Sequence, residues 1–500
     1  MKSNLSEINR CTKEMKCMET TKAAEGESTY KRTLGVGSIT LMVIAMAAPI
    51  AVVAGTVPLI LADSGNMGAP AYYLIAGLIL CIFAVGFTTM SKFVPNAGAF
   101  YSYIQAGLGK IAGMGSAVMA LVSYSVLLIS VLAYFGALAS NVIETFTGFA
   151  PPWWLLTLAG WAVIAYLGYH NVDLSSKVLA VFLLFEIVSV ITLDAAIIFA
   201  GGGDTGLSVA PFNPVEFMAG APGVGLMFAF FGFIGFESTA VFRNEAKDPE
   251  KTIPKATYLS VGIISVLYVF SSWCIVMGGG SDAIALSIAS PDTMAADMAT
   301  VYVGRVLHDI IQILLVTSLF ACSLCVHNII SRYQYTLAKV GILPEKLGEI
   351  HPKHSAPSRS SVVTSAVSII ALTVVAILGL DPVVQIYAWF SGGATLGILL
   401  LELLTSISVV VFFVKNKQVA NEYRLWNIRI APCIASFGLA CVIALVIANF
   451  PLLIGDLPSA IAMGIIPPIA FCIGCVTAAR LKRDSPEKYR SLNRLVSNPV

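Results

Sequence analysis

The chain contains twelve stretches of about 20 mainly apolar residues, the length that an α-helix needs to cross the hydrocarbon core of a bilayer. This feature restricts the fold more than any other. Only 12% of the residues are charged, whereas soluble globular proteins contain about 25%. We therefore predict an all-α polytopic membrane protein with twelve transmembrane helices near residues 35–62, 69–92, 112–143, 153–170, 178–200, 222–243, 256–278, 304–338, 360–380, 383–413, 428–449 and 459–479.

The distribution of Lys and Arg supports this map and orients it. Cytoplasmic loops of membrane proteins carry an excess of these residues. If the N-terminus is cytoplasmic, all of the 30 Lys and Arg residues except Arg305 lie on the cytoplasmic side. One helix more or fewer would destroy this separation. We expect a multi-pass protein of the cell (cytoplasmic) membrane with both termini in the cytoplasm.

Two of the predicted helices, the first and the sixth, are interrupted in mid-span. The first contains Pro49, and proline lacks an N–H donor and clashes with the preceding helical turn. The sixth contains Gly232 and Gly235, which loosen a helix, and Glu237 follows them. Either feature alone would indicate no more than an ordinary kink or helix-packing glycines. Together, five helices apart and in opposite orientations, they are typical of a transporter binding site near the membrane midplane.

The segment FGFIGFES, Phe231 to Ser238, is followed by NEAKDPEKTIPKAT, Asn244 to Thr257. These two segments resemble the sixth helix and following loop of amino acid permeases in the amino acid–polyamine–organocation (APC) superfamily. The further similar segments are Pro95 to Tyr101, His327-Asn328, Ser331-Arg332-Tyr333, Gly341 to Pro344 and His351-Pro352. The resemblance extends over roughly residues 30–480.

The resemblance implies a leucine-transporter-type fold, in which helices 1–5 and 6–10 form inverted repeats and helices 11 and 12 are peripheral. We accordingly expect a cytoplasmic tail over residues 1–33, a transporter domain over 34–480 and a second cytoplasmic tail over 481–500. Within the domain, the two repeats and the last two helices are expected at 34–203, 220–415 and 427–480. Many family members have Gly-x-Gly at the first break, where this chain has Ala47-Ala48-Pro49. The family's carboxylate contacts therefore cannot be transferred there residue by residue.

The two breaks form the predicted substrate site. The N-terminus of a half-helix offers free N–H groups and a positive dipole end to a carboxylate, and unwound carbonyl groups suit an ammonium group. The predicted substrate-binding residues are Ala47, Ala48, Pro49, Ile50, Ala51, Phe230, Phe231, Gly232, Ile234 and Gly235. By the resemblance, Phe231 and Ile234 face the substrate. Phe231 either acts as a gate or packs on the substrate, or it simply fills the interior of the bundle.

Acidic residues within the apolar helices are candidates for proton coupling, because an ionisable group inside a membrane is a functional hypothesis by default. The candidates are Glu237, Glu186 and Glu402. By the resemblance, Glu237 matches a family glutamate implicated in proton-linked gating. The alternative for each acid is a structural role, paired or bonded to backbone. Thr317, Ser318 and Ser323 could instead supply oxygen ligands to Na+, although hydroxyl groups in helices more commonly bond to helix carbonyls.

The charged loop after the sixth helix contains Arg243, Glu245 and Asp248. We predict that it forms a cytoplasmic latch that gates the site, the alternative being a solvated run of charges. The pairs Cys322-x-x-Cys325 and Cys472-x-x-Cys475 each resemble only half of a metal site. We therefore expect no metal and no other cofactor, with an ion gradient, of protons in our main hypothesis, as the driving force.

The sequence thus predicts a transporter rather than an enzyme. We expect it to move amino acids by alternating access, with proton symport. The first alternative is a permease or exchanger for polyamines or other organic cations, and the second is a transporter-like amino acid sensor. The expected partners are a small-molecule substrate, which is an amino acid or an amine, and the lipid bilayer. We expect no nucleic acid partner, and either a monomer or a homodimer.

Overall fold

A computed structural model describes residues 33–94, 98–170, 176–339, 341–351 and 356–492. Nearly all of the predicted N-terminal tail, the end of the C-terminal tail, part of the Pro95 to Tyr101 motif and Pro352 lie outside these residues. The described part is built from α-helices and their short 3-10 and π variants. This confirms the predicted all-α class.

Among the described residues, ten helical segments are long and apolar enough to cross a membrane, and two further apolar helices, Trp153–Tyr169 and Pro222–Phe231, are shorter. This confirms a multi-pass membrane protein. We number these helices α1 (Val36–Ser64), α2 (Ala69–Met90), α3 (Lys110–Thr147), α4 (Trp153–Tyr169), α5 (Ser176–Phe199), α6 (Pro222–Phe231), α7 (Pro249–Gly279), α8 (Arg305–Lys339), α9 (Ser358–Ile377), α10 (Ala388–Lys415), α11 (Ala431–Ile454) and α12 (Ile466–Asp484).

Glycine and proline set several of the helix ends. Gly65 and Gly148 follow the last residues of α1 and α3, with φ of 67° and 73°, and their amides bond back into the last turn. A left-handed residue at this position is most easily supplied by glycine. Pro222 and Pro249 open α6 and α7, where the missing N–H would have had no helical partner.

The two interrupted helices, α1 and α6, pack against each other inside the bundle. α1 also contacts α5, α7 and α8, and α6 contacts α2, α10 and α11. α3 closes the bundle by packing against α8, α10 and α12. Apolar side chains on the outside, such as Tyr166 of α4, Phe185 of α5 and Ile370 of α9, are more than half exposed. This is the surface that a lipid bilayer would cover.

The two described ends of the chain lie at one face of the bundle, which we call the terminal face. Leu34 forms a parallel bridge with the segment after α6, because its amide donates to Glu245 O at 2.9 Å and its carbonyl accepts from the Lys247 amide at 2.9 Å. Leu492 accepts a hydrogen bond from the side chain of Gln105. Gln105 belongs to the short helix Ala99–Leu108, which in turn contacts the chain that follows the break in α6.

The opposite face carries a second short helix, Met294–Tyr302, which we call the lid helix. It covers the second half of α1 and also contacts α5, α7 and α8. Asp292, just before the lid helix, accepts a hydrogen bond from Asn141 of α3 at 2.6 Å. The lid helix is therefore joined both to the interrupted helix and to its surroundings.

Candidate substrate-binding site

α1 is interrupted at Ala48. This residue has φ 50° and ψ 65°, a left-handed conformation that residues other than glycine rarely adopt. The following Pro49 has no N–H, so the regular ladder of hydrogen bonds stops and the helix starts again. The break exposes the Ala47 carbonyl, which accepts a hydrogen bond from the Tyr268 hydroxyl of α7 at 3.0 Å.

α6 is interrupted at the matching place. Regular helix ends at Phe231, and the chain runs through turns until a short helix begins at Ser238. Gly235 in this segment has φ 117°, which strongly favours glycine. A Cβ atom at Gly235 would lie 2.9 Å from the side chain of Met46 in α1. The glycine therefore also allows the two breaks to approach each other.

A buried carboxyl group accepts a backbone N–H at each of the two breaks. At α1, the Ile50 amide donates to Glu186 Oε2 of α5 at 3.4 Å. At α6, the Gly235 amide donates to Glu237 Oε2 at 2.9 Å, and the Tyr124 hydroxyl of α3 donates to Glu237 Oε1. Both acids are almost completely buried. Because an unpaired amide inside a bilayer is strongly unfavourable, each acid stabilises the break that it contacts.

The third predicted acid, Glu402 of α10, lies near Glu237. The two carboxyl groups are close enough to interact electrostatically, and Glu402 Oε2 has no hydrogen-bond partner among the described residues. Of the hydroxyl groups considered for Na+, those of Thr317 and Ser323 bond to helix carbonyls at 3.0 and 2.8 Å. That is the ordinary arrangement for such side chains.

A cavity of about 30 Å³ lies between the two breaks. A space of this size holds about two water molecules, so a substrate would fit only if the walls moved apart. Five of the predicted substrate-binding residues line it: Ala47, Ala48, Ala51, Phe231 and Ile234. The other five belong to the breaks but do not line the cavity: Pro49, Ile50, Phe230, Gly232 and Gly235. None of the lining residues carries a formal charge at neutral pH.

The walls that α3, α8 and the residue just before α10 supply were not predicted from the sequence. These walls consist of Leu127, Val131, Leu319, Cys322, Val326 and Tyr387. The residues stand in mainly apolar runs, where periodicity does not separate a position that faces a cavity from one that faces lipid. Tyr387 had a weak signal as a tyrosine near a helix end, but that position equally suits the membrane interface.

Tyr387 closes the cavity towards the opposite face by contacting three helices. Its hydroxyl is 3.1 Å from Thr56 Oγ1 in the second half of α1. Its ring stacks on Tyr134 of α3, with centroids 4.2 Å apart, and meets Phe231 of α6 edge-on at 5.7 Å. Its carbonyl accepts a hydrogen bond from Ser130 at 3.0 Å. Phe231, a predicted gate, is thus part of an aromatic cluster over the cavity.

The three predicted latch residues have different surroundings at the terminal face. Glu245 forms an ion pair with Arg332 of α8 at 3.4 Å, and this guanidinium also lies over the Phe242 ring at 5.2 Å. Asp248 instead pairs with Lys251 on the exposed surface, at 3.3 Å. Arg243 is buried, with 7% of its surface exposed. Of the three, Glu245 makes the ion pair that links the segment after α6 to a neighbouring membrane helix.

A family comparison agrees with this architecture. Residues 38–489 match the model of the family described as "Amino acid permease". The chain belongs to the amino acid permease family. This confirms the resemblance on which the site residues were chosen, and it makes the chain a multi-pass member of a membrane transport family.

Characterised relatives are similar over most of their length but at low identity. The branched-chain amino acid permease BcaP of Bacillus subtilis (strain 168) is 24% identical over 441 residues, covering 83% of this chain and 88% of the relative. The methylthioribose transporter of the same strain is 23% identical over 448 residues, with 84% and 90% covered. The low-affinity putrescine importer PlaP of Escherichia coli (strain K12) is 22% identical over 318 residues, with 61% and 66% covered.

From the break in α1, we expect glycine substitutions at Ala48 and Ala51 to have opposite effects on stability. Ala48 has a left-handed conformation, which costs a non-glycine residue roughly 1–2 kcal/mol, so Ala48→Gly should raise the thermal midpoint of the purified protein. Ala51 is helical, with φ −67°, so Ala51→Gly should lower the midpoint, since glycine in a helix costs about 1 kcal/mol. Thermal unfolding in detergent measures both variants. Equal losses in the two variants would contradict the assigned break.

Proposed function

We propose that the chain is a secondary active transporter for amino acids with apolar side chains, and that it works by alternating access in the cytoplasmic membrane. The observation that carries this proposal is the small, uncharged cavity between two interrupted helices. The family is one of transporters, which also argues against an enzyme. The similarity to a permease for branched-chain amino acids supports the same substrate class.

The charged groups and the side chain of such an amino acid would be bound by different parts of the site. The breaks in α1 and α6 carry amide and carbonyl groups that a continuous helix would consume. A substrate that displaced their present partners, Glu186, Glu237 and Tyr268, would bond to them through the carboxylate and ammonium groups that all amino acids share. The apolar walls, including Leu127, Val131 and Ile234, suit an aliphatic side chain. Side-chain selection would therefore depend on the walls and not on the breaks.

For alternating access, we propose that all twelve apolar helices cross the membrane, with α1–α5 and α6–α10 as inverted repeats and the terminal face in the cytoplasm. The cluster around Tyr387 would open towards the outside, and the contact between Glu245 and Arg332 would open towards the cytoplasm. The distribution of Lys and Arg supports this orientation. Both contacts are formed in the structure, and we propose that it represents an occluded state.

We propose protons as the coupling ion, with Glu237 as the principal site and Glu186 and Glu402 as further candidates. A carboxylate accepts hydrogen bonds more strongly than a protonated carboxyl group does. Adding a proton to Glu237 would therefore weaken its bond to the Gly235 amide and change how the break in α6 is held. Movement of the half-helix at the break in α6 would then depend on whether Glu237 is protonated.

A transporter of polyamines or other organic cations is the second candidate, favoured by the similarity to a putrescine importer. A dication would need carboxylates facing it, because an unpaired charge in a low-dielectric site is strongly unfavourable. Glu186, Glu237 and Glu402 are not among the residues that line the cavity. The structure therefore supports an apolar amino acid over a dication.

Uptake into proteoliposomes tests the proposed function. We expect leucine, isoleucine, valine or methionine to accumulate several-fold when an inward proton gradient is imposed, and arginine, glutamate and putrescine not to do so. Accumulation of putrescine in their place would establish the second candidate. Saturable binding without accumulation or counterflow would identify a sensor and contradict the transport proposal.

The role of Glu237 is tested by Glu237→Gln, which is isosteric but cannot take up a proton at neutral pH. We expect proton-driven accumulation to be lost, while counterflow of substrate without a gradient and the thermal midpoint are retained. Glu349→Gln is the matched control, because Glu349 is an exposed glutamate paired with Arg359, and it should behave as the unmodified chain. An unchanged pH dependence in Glu237→Gln would rule out this residue as the coupling site.

A further inference from the structure

The opposite face contains a histidine that the proposed function does not use. His308 lies in the first turn of α8, beneath the lid helix, and only 5% of its side chain is exposed. It is not among the residues that line the cavity. The lid helix packs on α8 and on the second half of α1. A change at His308 would therefore act on the element that covers the interrupted helix.

Acceptors surround the ring of His308 on both sides. Nδ1 is 2.8 Å from Asp309 Oδ1, and Nε2 is 3.7 Å from Asp297 Oδ1 on the lid helix. The side-chain amide nitrogen of Gln312, one turn along α8, is 3.4 Å from Nε2. The Gln312 amide oxygen is buried and has no partner within the described part of the chain.

A neutral imidazole can serve only one of these acceptors, because it has a single N–H. If that N–H is at Nδ1, it donates to Asp309, and Nε2 can only accept from the Gln312 amide. Asp297 on the lid helix then receives no hydrogen bond from the ring. A protonated imidazole has a second N–H at Nε2. That group can donate to Asp297, or to the Gln312 oxygen once the amide has rotated.

We propose that His308 is a proton-binding site that fastens the lid helix to α8. The proton adds to Nε2, and the new N–H and positive charge attract the Asp297 carboxylate. The lid helix is then held more tightly over the second half of α1, and acidification of the opposite face slows its opening. Only the assignment of that face to the outside rests on the proposed function.

The charges around the ring of His308 favour its protonation. Asp297 and Asp309 are two carboxylates, and Arg305 pairs with Asp309 at 2.9 Å, so the group carries one uncompensated negative charge when His308 is neutral. Protonation of the ring balances that charge. Two other carboxylates on neighbouring elements accept hydrogen bonds from other side chains: Asp292 accepts from Asn141 of α3, and one oxygen of Asp194 of α5 accepts from a serine of α7.

Hydrogen–deuterium exchange of the full chain in nanodiscs tests this proposal without any substrate. Exchange of peptides from the lid helix is compared at about pH 7.5 and about pH 5.5, a range in which an ordinary histidine titrates, after correction for the intrinsic pH dependence of exchange. We expect at least a threefold slowing at the lower pH. His308→Gln and Asp297→Asn should each abolish it, and His170→Gln, a histidine that bonds within α4, should retain it.

Either of two results would overturn the proposal: no slowing in the unmodified chain, or full slowing in Asp297→Asn. Asp297→Asn keeps the histidine and removes only the charge of its partner on the lid helix, so it remains informative if His308→Gln fails to fold. Failure here would leave the transport proposal standing, because the measurement involves neither substrate nor a gradient. Absence of uptake, together with an intact pH response of the lid helix, would contradict the transport proposal and leave the proposal for His308 standing.

Discussion

The structure depends on the contact between a buried carboxyl group and a backbone amide at each helix break. A bilayer offers no water to satisfy the polar groups that an interrupted helix exposes. Glu186 accepts the Ile50 amide and Glu237 accepts the Gly235 amide, so both breaks persist inside the bundle. The two acids have different positions in the chain. Glu186 belongs to α5 and contacts the break in α1, whereas Glu237 directly follows the break in α6 that it contacts. The two half-helices are therefore held by different neighbours.

The cavity between the breaks follows from this arrangement. The acids bond to backbone beside the cavity and do not line it, which leaves an uncharged space bounded by aliphatic side chains. Tyr387 covers one end through contacts with α1, α3 and α6, and the ion pair of Glu245 with Arg332 joins α8 to the segment after α6 at the other face. Each of these contacts joins an interrupted helix, or the segment that follows it, to a continuous helix.

Most of the helical architecture could be predicted from the sequence, because a membrane leaves a long apolar run few alternatives to a helix. The breaks could also be predicted, since Pro49 and Gly235 act on the backbone itself. The cavity walls could not be predicted, because aliphatic residues such as Leu127 and Val326 occur equally at lipid-facing positions of mainly apolar helices. The latch stays a prediction: Glu245 pairs with Arg332 of α8, whereas Asp248 pairs with Lys251 in the first turn of α7.

The contacts of Tyr124 and Tyr268 could not be predicted from the sequence either. Each hydroxyl bonds to a break in a distant helix, Tyr124 to Glu237 and Tyr268 to the Ala47 carbonyl. In the sequence both are tyrosines within apolar runs, and only the packing of α3 and α7 brings them to the breaks. Contacts between helices that are far apart in the chain leave no periodic signal in either helix.

The central claim is that the substrate lies between the two breaks, and photo-crosslinking with a diazirine analogue of leucine tests it most directly. After irradiation of the protein in nanodiscs, modified peptides are identified by mass spectrometry, with and without excess leucine. The account predicts adducts within residues 46–56, 127–131, 231–234 and 319–326 that excess leucine prevents. Adducts that leucine suppresses but that lie only in other helices would contradict it.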